Sequence, residues 1–295
     1  MDTGVESPLK GRYEEVPVTS FDGLIQALVQ AGDKNWLFRG HRSVGWSLST
    51  SFERALDSFD LPRSSWSRLE AGLLRAFQRR AHHYLRDVPE KNKWLEWFAL
   101  MRHHGAPTRL LDWTYSYYVA AFFALEHAVQ SCAVWGLDVA WVGERIRARG
   151  LVPGDAQDRF DVDKNMEEAK TFKEILARPP GERKRYVFAV NPFRLNERLS
   201  VQQGAFVCPG DVSATFEENL AALFEGERIP SDRLKKFVFT FDRKERQSAV
   251  ARLSRMNISS TSLYPGLDGY GRSLELALAR PEILDPSSDY PFYSS

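Results

Sequence analysis

One stretch constrains this chain more than any other: Arg102-His-His-Gly-Ala-Pro-Thr-Arg-Leu-Leu-Asp-Trp-Thr114. Two arginines, two histidines, two threonines and an aspartate stand between two strongly apolar runs, Trp94–Met101 and Tyr117–Val129. Polar groups this dense at a buried helix–helix junction must pair with one another or with a ligand, because an unpaired charge out of water is costly. A second unit, Trp36-Leu-Phe-Arg-Gly40, is an apolar run broken by one arginine and a glycine.

Bulk properties narrow the partners. With 40 basic against 39 acidic residues the formal charge is +1, which gives no support for a dedicated nucleic-acid or acidic-membrane binder. Cys132 and Cys208 lie far apart in apolar contexts and read as buried free thiols, not a disulfide framework or a zinc site. No basic, apolar leader is visible at the N-terminus and no run of about 18 apolar residues occurs, so a cytoplasmic protein without a membrane partner is expected.

Periodicity sets the organisation. Residues 1–18 read as a flexible N-terminal arm, and Ser20 caps a helix carried by Phe21, Leu24, Ile25, Leu28 and Val29. Trp36-Leu-Phe reads as a short buried strand ending at Arg39-Gly40. Helices are expected from Ser64 or Ser65, over Lys93–His103 with Gly105 as its stop, and over Tyr117–Val129. Strands are expected at Ala133–Val139, Arg185–Val190, Ala205–Cys208 and Phe237–Phe241, with helices at Arg243–Met256 and Ser273–Ala279. Residues 143–185 are highly charged and close on Pro179-Pro-Gly, which suggests a helical surface insertion. Residues 286–295 read as a tail. The whole suggests one α+β domain over residues 19–285, helical in its N-terminal half, with a mixed or antiparallel sheet.

Each polar group carries two readings. Arg39 at the end of a buried strand suits bidentate fixing of phosphate or carboxylate, or a structural ion pair with Asp112 or Glu70. Gly40 permits close approach of a ligand or of another backbone. On a helical turn Arg109 and Asp112, three apart, would share a face and pair. Asp112 would equally cap the next helix, as would Thr114 or Ser116. Of His103 and His104 at a helix end, one should face out and one in. The cation is favoured there by the helix dipole, and a general acid–base role for His104 is the other reading. Metal ligation has no supporting spacing. Gln203, before Gly204, presents an amide to a ligand or bonds its own turn. The Gly266-Leu-Asp-Gly-Tyr-Gly271 turn lacks phosphate-loop spacing and reads as a helix entry, and Ser49-Thr-Ser51 and Ser259–Ser262 suit caps.

Together these units resemble the FRG-domain family. The resemblance is carried by Phe38-Arg39-Gly40, Trp46-Ser-Leu, the His103–Thr114 block with Ala120-Ala-Phe-Phe-Ala after it, Gln202-Gln-Gly-Ala-Phe206 and Ser262–Gly269, and it spans about residues 19–280. His103 stands where Gln is usual, and Tyr264 where Phe is usual. The family's Arg-Gly strand resembles the opening element of ADP-ribosyltransferases, which implies an ADP-ribosyltransferase-like core with NAD as substrate and no metal. In that reading Arg39, Gly40, Thr108, Arg109 and Gln203 hold the nucleotide. Asp112, Glu275 or His104 supplies the chemistry, in an effector of bacterial conflict or phage defence acting on a protein or nucleic-acid acceptor. No Glu-x-Glu follows the hydroxyl-rich segments, so a second reading stays open: a non-catalytic module binding a nucleotide or phosphate ligand in the same arginine-rich site.

Overall fold

The computed structural model describes residues 6–32, 35–151, 172, 175–192, 196–226 and 231–277. Its fold is α+β, built on a seven-stranded mixed sheet. In chain order the first elements are β1 (Glu14–Val18), α1 (Phe21–Ala31), β2 (Trp36–His41), α2 (Ser51–Ser58), α3 (Trp66–Arg80) and α4 (Trp94–His103). Then come β3 (Leu111–Thr114), α5 (Tyr117–Leu125), β4 (Ser131–Asp138), α6 (Val139–Ala148) and β5 (Val187–Val190). After a short helix, Glu197–Val201, follow β6 (Gly204–Pro209), the helix Phe216–Ala222, β7 (Leu234–Thr240) and helices at Arg243–Arg255, Ser260–Leu263 and Leu267–Ala277.

The strand order is β1-β7-β4-β2-β3-β6-β5. Only β1 and β7 run parallel; the other pairs are antiparallel. Alternation along each strand divides the core in two. In β2, Leu37 joins the cluster under α3, α4 and α6, while Trp36 and Phe38 join the one under α1, α5 and Arg243–Arg255. In β4, Trp135 and Leu137 take the first side, Cys132 and Val134 the second.

Local chemistry explains the element ends. Ser20 accepts from Gly23 N as the cap of α1. Thr50 caps α2 and Ser259 closes a capping box with Ser262, so both hydroxyl-rich segments are helix caps. The Gly266 turn opens the helix Leu267–Ala277. Both cysteines are free and buried.

Two expectations change. Glu14–Val18, placed in the arm, is an edge strand on β7, and Pro17 is tolerated because one side of an edge needs no donor. Leu111–Thr114 is a strand and not a helical turn, since Asp112 registers opposite Phe206 of β6. Much of the expected insertion at 143–185 lies outside the described residues; Phe172 and Ile175 within it are buried against the core.

Candidate functional site

The polar block is a hairpin of helix and strand. Helix α4 ends at His103 with His104 as its C-cap, and Gly105 follows with a φ of 78° that suits the left-handed position after a helix. Ala106 N then donates back to Met101 O at 2.9 Å, and the chain reverses through Pro107 into β3. This reversal sets Arg102, in the last turn of α4, against Asp112 in β3. Arg102 donates to Asp112 Oδ2 through Nε at 2.9 Å and Nη2 at 2.5 Å.

Arg39 comes to the same aspartate from β2. Its Nη1 donates to the Asp112 backbone carbonyl at 2.5 Å and lies 4.0 Å from Oδ2. Its Nε donates to His41 Nε2 at 3.1 Å. His41 is buried, and burial followed by the Arg39 charge pushes it down to about 3, so it is the neutral acceptor that this bond requires. Gly40 serves the other option open to it: a Cβ would stand 2.1 Å from Ala120 O and 2.5 Å from Ala124 N, so the glycine lets β2 press on the backbone of α5.

Arg109 turns away from this centre. It is buried and donates to both carboxylate oxygens of Glu70, at 2.6 Å from Nε to Oε1, and to Pro209 O at 3.3 Å. The three-residue spacing that would pair it with Asp112 on a helix puts the two apart on an extended chain. Thr108 is also buried, its N–H bonded to Ser51 Oγ at 3.1 Å, while its own hydroxyl has no partner among the described residues.

A cleft of about 130 Å³ opens on the carboxylate side. Arg102, His103, Asp112, Asn196, Arg198 and Gln202 supply its polar lining, over Phe206 and Leu199. Gln202 enters it and Gln203 does not. Gln203 is exposed in a left-handed conformation with φ of 47°, and its carbonyl accepts from Tyr115 N. Thr114 Oγ1 bonds Gln202 O at 2.7 Å and Gln202 Nε2 bonds Leu263 O at 2.8 Å, which fixes that turn against β3. Both His103 and His104 are exposed, against the expectation of one in and one out, and His103 is the one lining the cleft. Partial burial, then His104 and Arg198, lowers the His103 pKa, so it is biased towards its neutral form. Glu275 lies in the helix Leu267–Ala277, and its side chain is outside those described.

Electrostatics set the character of the site. Burial opposes ionisation of Asp112, but Arg102, Arg39 and Arg198 outweigh it and hold the carboxyl below its ordinary value. Burial, with Arg102 and Arg54 adding to it against Asp112, brings Arg39 down to about 10, so it remains a cation at neutral pH. Arg54 is lowered by burial and by Arg102. Four arginines thus share one aspartate. Arg198 lies 4.7 Å over the Tyr264 ring, with Arg272 at 4.5 Å from the same ring. Among the described residues neither of these two has a carboxylate in ion-pair range. Sequence reading passed over Arg102, Arg198 and Arg54; the signal for the first two was that each opens a polar block.

Residues 34–132, about a third of the chain, match the FRG domain family. The match contains Phe38-Arg39-Gly40 and the whole Arg102–Thr114 block, and leaves Gln202–Phe206 and Ser262–Gly269 outside. No curated protein and no solved structure gives a match to the chain. Among the described residues no helix is long and apolar enough to cross a membrane, and no group of three His, Cys, Asp or Glu side chains is placed to hold a metal ion.

Proposed function

We propose that the FRG domain carried by this chain, with the strand and helix that follow it, forms a receptor for the phosphate of a nucleotide-like ligand. The observation that carries this reading is the charge around the cleft: Arg102 and Arg198 line it, Arg39 and Arg54 add their charge from behind, and Asp112 is the one carboxylate lining it among the described residues. Crowded guanidinium groups repel one another, and an anion relieves that repulsion while accepting charge-assisted bonds from each fork. A cleft of about 130 Å³ suits a phosphoryl group or one ring, with the rest of the ligand along the surface, because pockets that enclose a drug-sized molecule run to about 300–1,000 Å³. Arg198 and Arg102 contact the anion in this reading; Arg39 and His41 hold Asp112 and its strand in place.

A second reading rests on Asp112 itself. An ionised carboxylate at the cleft is what ADP-ribosyl transfer from NAD uses. The nicotinamide–ribose C–N bond breaks, nicotinamide leaves with the bonding pair, and an acceptor nucleophile bonds to the ribose carbon and gives up its proton. Asp112 offsets the positive charge that develops on the ribose, in an effector such as bacterial conflict or phage defence employs.

Calorimetry with ADP, ADP-ribose and NAD tests the receptor. Saturable binding of one ligand per chain is expected, and absence of heat and of thermal protection at millimolar ligand contradicts it. Incubation with labelled NAD separates the two readings: released nicotinamide establishes transfer or hydrolysis, and binding without release leaves the receptor.

A further inference from the structure

Trp46 stands apart from the other tryptophans. Trp36, Trp66, Trp97, Trp113, Trp135 and Trp141 are buried and Trp94 is partly buried, whereas Trp46 is 46% exposed. An indole left half in water is apolar area that folding has not used. Its surroundings tie it to the cleft. His41 meets the indole edge-on, with ring centroids 6.0 Å apart and an interplanar angle of 65°. His41 in turn accepts from Arg39, which bonds the Asp112 carbonyl. The indole is therefore two side chains from the aspartate of the cleft. Arg42 lies 4.8 Å over the ring. Arg54 is exposed, its Nη1 bonded to Ser49 O at 2.6 Å, on the loop that also carries Trp46.

A flat apolar face bordered by guanidinium groups selects among anions. Inorganic phosphate or a phosphorylated side chain uses the arginines and leaves the indole wet. A nucleotide uses both, since its base has a face to stack and its phosphates take the charges. We infer that Trp46 is the stacking platform for the base of the nucleotide whose phosphate occupies the arginine cleft. This inference rests on the receptor reading above. It adds where the base of that ligand sits, and that affinity beyond the phosphate contacts comes from the Trp46 loop.

The test titrates ADP and inorganic pyrophosphate separately into the full chain and its Trp46→Leu and Trp46→Phe variants, by calorimetry and by tryptophan fluorescence. The wild type should bind ADP more tightly than pyrophosphate, with emission quenched by ADP alone. Trp46→Leu should weaken ADP about tenfold or more, the scale of one base–aromatic stack, and leave pyrophosphate unchanged. Trp46→Phe should recover part of the loss. Equal ADP affinity in wild type and Trp46→Leu overturns the platform while the phosphate site stands. Failure of wild type to bind either compound overturns the receptor reading, and the platform with it.

Discussion

Arg102, in the last turn of α4, holds Asp112 of β3 by two hydrogen bonds to a single carboxylate oxygen, at 2.9 and 2.5 Å. The pair joins the end of a helix to a strand ten residues later, and both of its side chains line the cleft.

Asp112→Asn isolates the charge of that pair. The aspartate side chain is 40% exposed and Arg102 25% exposed, so the pair lies between a surface bridge at about 0–1 kcal/mol and a buried one at about 3–5 kcal/mol. A loss of about 1–2 kcal/mol is expected in urea denaturation at neutral pH. Because the folded carboxyl is held below its ordinary value, its contribution is present above the unfolded pKa and is lost as pH falls through the folded one. The same substitution removes the one carboxylate that lines the cleft among the described residues, so phosphate-ligand affinity should rise. Weaker binding would show that Asp112 contacts the ligand directly as an acceptor.

Glu70→Gln should do the opposite. Glu70 and Arg109 have side chains only 8% and 3% exposed, and neutralising one leaves the other charged inside the core. A loss of about 3–5 kcal/mol in chemical denaturation is expected, with ligand affinity of the folded fraction unchanged. A change in affinity with stability intact would bring Arg109 into the site.

Gly40→Ala tests the contact of β2 with α5. The added methyl would meet Ala120 O and Ala124 N at 2.1 and 2.5 Å, and backbone cannot swing aside as a side chain can. The cost should exceed the ~1–3 kcal/mol of ordinary overpacking, read as loss of soluble expression or a large fall in the denaturation midpoint. A variant as stable as wild type would mean that α5 stands farther from the sheet.

Glu53 gives the chain a pH-dependent stability. Its buried carboxyl accepts from Phe216 N at 2.9 Å, and burial outweighs those bonds and pushes it up to about 8 from an ordinary 4.5. Between those values the native chain keeps a proton that the unfolded chain has released. The contribution is therefore full below the ordinary value and lost as pH rises, by up to ~1.4 kcal/mol per pH unit. His41 works in the other direction: its contribution is present above its unfolded pKa and lost as pH falls towards about 3. Glu53→Gln removes the first effect and keeps the second. The variant should gain on the wild type between about pH 5 and about pH 8 in paired denaturation series. A constant difference across that range would contradict the raised carboxyl.

Much of the frame could be read from residue order alone. Ser20 as a cap, the buried strand before Arg39, Gly105 as a stop and the buried run after Ser116 are local chemistry, settled within a turn or a strand. The site was less legible because its pairs are tertiary. Asp112 had Arg109 three residues away and Arg102 ten away, and only the strand geometry of Leu111–Thr114 decides between them. Glu70 reaches Arg109 from another helix, and Arg198 enters from beyond the matched FRG domain because β6 registers on β3. Gln202 and Gln203 were exchanged because a left-handed residue at Gln203 turns its side chain outward, and spacing does not reveal that.

The most direct measurement of the central claim is calorimetric titration of inorganic pyrophosphate into the wild type and into Arg198→Ala. Arg198 lines the cleft, stacks on Tyr264 and has no ion-pair partner among the described residues, so its removal should leave the fold undisturbed. One pyrophosphate per wild-type chain and at least about tenfold weaker binding in Arg198→Ala, at an unchanged denaturation midpoint, is the predicted result. Equal affinity in the two proteins, or no binding by the wild type, would contradict a phosphate site at the Arg102–Asp112 centre.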